Sequence, residues 1–132
     1  MNRSQNYFDQ SFEVITSQPD WFNFLKEVES FDFYHTYHYH SISKLDNETP
    51  VLLKYVENDI RIGLPLLVRN IPNTKYKDAT SVYGYSGPVS NILLNQNFDN
   101  SKLKNLLVEY FKENNFVSNL VKNIKKIKRT NI

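Results

Sequence analysis

Hydrophobic positions are most regular in the middle of the chain. Ile60, Ile62, Leu64, Leu66 and Val68 recur at a period of two without interruption, which predicts a strand with that face in the core. Residues 51–57 predict its antiparallel partner, and Asn58-Asp59 between them tolerates the left-handed backbone of a tight hairpin turn. The opposite parity of the second strand carries Arg61, Gly63, Pro65, Leu67 and Arg69. Pro65 has no N–H to give a neighbour, so it predicts a bulge or an unpaired position. Upstream, residues 11–15 alternate polar and apolar and predict a first strand.

Helical periods flank this hairpin. Ser17 reads as an N-cap with Pro19 in the first turn and Asp20 three residues on. Trp21, Leu25 and Val28, with Phe22 and Phe24 beside them, give that helix an apolar face, ending near Glu29. A second helix is expected over residues 36–44, with residues 45–50 as the loop out of it. Residues 70–78 read as a polar loop leading to a strand that ends at Tyr83. Leu103, Leu106, Leu107, Tyr110 and Phe111 then form a nearly ideal helical face, capped by Asp99 or Ser101. Such a helix does not recover its ordering cost alone and must dock on the sheet. The predicted order is β-α-α-β-β-β-α, an α/β (α+β) class with a mixed, mainly antiparallel sheet and helices packed on it.

Composition narrows the reading further. The length of 132 residues, 40% of them hydrophobic, suits one domain. Residues 11–118 form that domain, residues 1–10 a disordered start and residues 119–132 a basic Lys/Asn/Ile-rich tail. There is no cysteine, hence no disulfide, thiolate nucleophile or cysteine-held zinc. Apolar runs are too short for a membrane span, and the polar start lacks a signal-peptide core, so a cytoplasmic protein is expected. The net charge of +2 conceals an asymmetry, because Lys122, Lys125, Lys126, Lys128 and Arg129 all follow the last acidic residue, Glu113. Without those five, eleven basic residues face fourteen acidic ones. A mildly acidic body gives no support to nucleic-acid binding.

Candidate chemistry concentrates in two stretches. Tyr83-Gly84-Tyr85-Ser86-Gly87-Pro88 ends a strand in a kinked, hydroxyl-rich loop holding two of the chain's three glycines. Tyr83, Tyr85, Ser86 and the backbone around Gly84 and Gly87 could hold a sugar or nucleotide-sugar; equally, Ser86-Gly87-Pro88 reads as a plain turn from strand to helix. Phe33-Tyr34-His35-Thr36-Tyr37-His38-Tyr39 is the second stretch. His35, with Tyr37 and Tyr39, could line the same cleft, and His35 is the candidate general base; the alternative is that these rings pack the helix onto the sheet. His35, His38 and His40 do not converge on one ion in either a helix or a strand, so no metal is expected.

Taken together, the two stretches in this order, with a hairpin between them, resemble the N-terminal half of the FemAB-like acyltransferases, built of tandem GNAT-type domains. The resemblance covers residues 12–118. It implies a cytoplasmic enzyme part of cell-wall or surface-polysaccharide biosynthesis that binds an amino sugar on a nucleotide or lipid carrier. In such enzymes an amine attacks an acyl thioester or aminoacyl ester. The segment that would cradle the pyrophosphate of coenzyme A corresponds to residues 88–99, which contain no glycine, arginine or lysine. The resemblance therefore implies that this chain binds no cofactor itself. Acyl-CoA or aminoacyl-tRNA would be held by a second domain, which this chain lacks or which is separately encoded.

Residues 115–118 look like the approach to a fifth strand, and the resemblance stops there. The tail that follows reads as the end of a truncated chain or as an amphipathic membrane-surface segment. An uncovered sheet edge predicts self-association. The rival functional readings are a non-catalytic sugar-nucleotide or protein interaction module, and a truncated pseudogene product.

Overall fold

A computed structural model describes residues 10–28, 31–80, 88–92 and 98–117. In chain order these form β1 (Gln10–Ile15), α1 (Gln18–Val28), a 3-10 turn (Phe33–His35), α2 (Tyr37–Ser43), β2 (Glu48–Glu57), β3 (Ile60–Asn70), β4 (Lys77–Thr80), β5 (Val89–Ser90) and α3 (Ser101–Glu113). The architecture is mixed α+β: among the described residues, a five-stranded antiparallel sheet carries three helices. None of those helices is long and apolar enough to cross a membrane.

The hairpin forms where the alternating pattern requires it. β2 and β3 pair from Glu57↔Ile60 to Glu48↔Arg69, and Asn58 takes the positive φ of 55° that the two-residue turn demands. β2 begins three residues before the expected start, so Pro50 stands inside a strand rather than in a loop. Its missing N–H is tolerated because β1 reaches only as far as Leu52, leaving β2 with a single neighbour at Pro50. Before it, the Glu48 carboxylate accepts the Leu45 N–H at 2.8 Å and closes the turn from α2.

β5 was not expected from the sequence. Both β4 and β5 lie along the same edge of β3, with Thr80 opposite Leu67 and Val89 opposite Gly63. Pro65 falls in the gap between the two pairings, where this edge of β3 has no described partner, in keeping with its missing donor. Asn91 fastens the end of β5 to the hairpin turn: Oδ1 accepts the Arg61 N–H and Nδ2 donates to the Asp59 carbonyl, both at 2.8 Å. On the outer edge of β4, Lys77 forms a parallel bridge with Phe116. Its N–H donates to Asn115 O, and Val117 N–H donates back to Lys77 O, each at 2.9 Å.

Both faces of the sheet are covered. On one, Val51, Leu53, Tyr55 and Ile62 pack against Leu103, Leu107 and Phe111 of α3, with Phe98 and Phe116 closing the ends. Leu64, Leu66 and Val68 join this face half-buried, as their period predicts. On the other, Trp21, Phe24, Leu25 and Val28 of α1 lie on Ile15, Leu52 and Val89. Gly63, Pro65 and Leu67, the parity not assigned to the core, are buried here. Gly63 is needed for close approach: a Cβ there would collide with Phe24 Cε2 and lie 2.9 Å from Phe24 Cζ.

Helix ends follow their residue chemistry. Ser17 O accepts the Trp21 N–H at 3.0 Å and Ser17 Oγ accepts the Asp20 N–H at 3.3 Å. Thr36 is the N-cap of α2, its hydroxyl accepting the Tyr39 N–H at 3.1 Å. The N-cap of α3 is Asn100 rather than the expected Asp99 or Ser101, while the Asp99 carboxylate accepts the Ser101 N–H at 3.0 Å. Phe22 departs from expectation: it is 54% exposed, and the Lys26 ammonium lies 5.1 Å over its ring. It sits one position off the stripe that meets the sheet.

Candidate functional site

The sequence concentrates aromatic side chains between Phe31 and His40, and the fold sorts them onto two sides. Tyr37 turns inward. Its ring stands edge-on to Trp21 at 5.4 Å between centroids and packs against the α1 core. His40 is fully buried beside the same indole, 5.3 Å away. Trp21 Nε1 donates to the His35 carbonyl at 2.9 Å, which ties the 3-10 turn to α1. The base of this segment is therefore rigid.

Tyr39 turns the other way. It meets Phe33 at 5.1 Å and Tyr34 at 5.0 Å, both edge-on, and Phe33 touches His38 at 6.4 Å. Phe33 is 53% exposed and Tyr34 44%, so two of these three edge-packed rings offer surface to solvent. Rings packed edge to face on one another present apolar walls with hydroxyls among them, an arrangement suited to stacking on a sugar or a base. Phe33 and Tyr34 were not among the predicted binding residues. The density of aromatics was the available signal, but periodicity could not separate the outward rings from the inward ones.

His35 follows Tyr34 in the chain and is half-buried. Its Nδ1 accepts the Asp32 N–H at 2.9 Å. A neutral ring so engaged carries its proton on Nε2, which makes His35 a hydrogen-bond donor at its free nitrogen. The lone pair a general base needs is occupied by the turn. His40 Nδ1 lies 2.9 Å from the Thr36 carbonyl and donates to it; among the described residues its Nε2 has no partner. Burial holds the His40 imidazole below its ordinary pKa, partly opposed by the Thr36 bond, and the nearby His35 lowers it further. No three metal-ligating side chains gather among the described residues.

Of the predicted binding residues, Tyr39 joins the Phe33 and Tyr34 rings, Tyr37 packs half-buried against the α1 core, and His35 is engaged within its own turn by Asp32. Tyr83, Gly84, Tyr85, Ser86 and Gly87 lie outside the described residues. Comparison with protein-family models, with curated proteins and with solved structures finds no match to this chain.

Proposed function

We propose that this chain is the acceptor-binding part of an acyl- or aminoacyl-transferase acting on an amino sugar carried on a nucleotide or lipid. The observation that carries this reading is the exposed Phe33–Tyr34–Tyr39 platform, on a turn tied to α1 by the Trp21 bond to the His35 carbonyl. Sugars and nucleobases present flat apolar faces edged with acceptors, which such a surface complements. The order of elements also supports a GNAT-type reading: a strand, two helices and three further antiparallel strands, then the short β5 on β3, a helix, and a parallel bridge onto β4 at Phe116. The acyl-CoA or aminoacyl-tRNA donor would be held elsewhere than residues 88–99, which lack the glycines and cations a pyrophosphate needs.

One observation favours a second reading, a sugar-nucleotide binding module without catalysis: the basic lone pair of His35 is already engaged by Asp32. The two readings separate in a paired experiment. The full chain is titrated with UDP-glucosamine and UDP-N-acetylglucosamine by NMR, and thiol release from acetyl-CoA is followed with the chain alone and with a separately made C-terminal transferase half. Saturable binding at residues 33–39, weakened several-fold by Phe33→Ala, supports the acceptor site. Turnover only in the mixture supports the split enzyme, and none in either supports the module. Absence of saturable binding refutes both.

A further inference from the structure

A second polar cluster lies on the opposite face of the sheet from the aromatic platform. Thr49 of β2 pairs with Val68 of β3, and Asn70 of β3 pairs with Lys77 of β4. All four line a cavity of about 240 Å³ between the strand ends and α3, with Asn47 and Tyr110 completing its rim. Val51, Val68 and Phe116 give it an apolar floor. Phe116 is held there by its backbone bridge to Lys77 and by the ring of Phe111 at 4.7 Å, and Tyr110 by Phe12 at 5.7 Å.

The charge of this cavity is unbalanced. Elsewhere in the fold, cations at the sheet surface have carboxylate partners: Lys54 with Glu13 and Glu27, Arg61 with Glu27, Arg69 with Asp78, and Lys102 with Glu57. Lys77 is half-buried and has no ion-pair partner among the described residues; no carboxylate lines its cavity. An ammonium donates only, so an anionic group of a ligand would complement it. The neutral groups around it, two amides and two hydroxyls, both donate and accept, which is what hydroxyl groups of a ligand also do. Their side chains likewise make no hydrogen bond among the described residues.

We infer that this cavity is a binding site for a small hydroxylated anion of monosaccharide size, a sugar acid or sugar phosphate. Its anionic group meets Lys77, its hydroxyls meet Thr49, Asn70 and Tyr110, and its C–H face lies on the Phe116 and Val68 floor. The volume falls below the roughly 300–1,000 Å³ of sites for larger ligands, which limits the occupant to about one ring. This site is independent of the acceptor platform and stands or falls separately from it.

The test is an NMR titration of the full chain with D-glucuronate and with glucose 6-phosphate, beside glucose and acetate as controls. Expected is saturable binding of at least one of the two anionic sugars at about millimolar concentration or tighter, with shifts at Thr49, Asn70 and Lys77. Lys77→Met weakens it about tenfold and Asn70→Ala several-fold, while Phe33→Ala leaves it unchanged. Glucose and acetate each bind about tenfold more weakly or not at all. Failure of both anions to saturate, shifts confined to other surfaces, or affinity indifferent to both cavity substitutions would overturn the assignment.

Discussion

Replacing Gly63 by alanine probes the closest approach in the fold. The new Cβ would stand 2.9 Å from Phe24 Cζ and 3.1 Å from Leu52 Cδ1, and closer still to Phe24 Cε2. Both neighbours are themselves buried, with Phe24 1% and Leu52 0% exposed, so the ring has no open space to move into. Overpacking of this kind costs about 1–3 kcal/mol, while alanine's smaller unfolded-state entropy returns about 0.4–1 kcal/mol. The expected net destabilisation is about 1–2 kcal/mol, read in urea as a midpoint lower by about 1 M. A double-mutant cycle assigns the cause. Phe24→Leu removes the ring atoms that collide, so in that background Gly63→Ala should cost about 1 kcal/mol less. Additive effects, or a Gly63→Ala protein as stable as the parent, would refute the reasoning.

Other outcomes follow from single groups. His40 is buried with a depressed pKa, so protons bind the unfolded ring first: stability is held above about pH 6.5 and falls as pH drops through it. Urea midpoints between pH 8 and 5 should fall less steeply for His40→Phe than for the parent. Trp21→Phe deletes the Nε1–H···His35 bond and leaves a gap beside Tyr37; a loss of about 2 kcal/mol in chemical denaturation is expected, with weaker sugar-nucleotide binding as the turn loosens. Asn91→Ala removes both bonds to the hairpin turn, costing about 1 kcal/mol, and faster hydrogen exchange at the Arg61 amide would report it.

Legibility in the sequence tracked the range of the interactions. The Asn58-Asp59 turn, the cap at Ser17, and the face of Leu103, Leu107 and Phe111 depend on neighbours within a few residues, and they stand where local chemistry puts them. The candidate site was only half legible. Tyr37 and Tyr39 have the same residue type and lie two positions apart on α2, yet one packs on Trp21 and the other stands with Phe33 and Tyr34. Their roles depend on α1, which joins them only by packing across the chain.

The alternation of Ile60 to Val68 specified by itself a strand and which of its side chains share a face, because a pleat fixes that parity. It could not specify that Gly63, Pro65 and Leu67 are covered too. That burial needs α1 above them and Val89 beside them, brought from about forty residues upstream and about twenty-five downstream. Nor could it place Lys77, Asn70 and Thr49 around one cavity, since only the register of three strands sets those distances. Local periodicity settles what an element is; the surface it meets is settled by parts of the chain the period never samples.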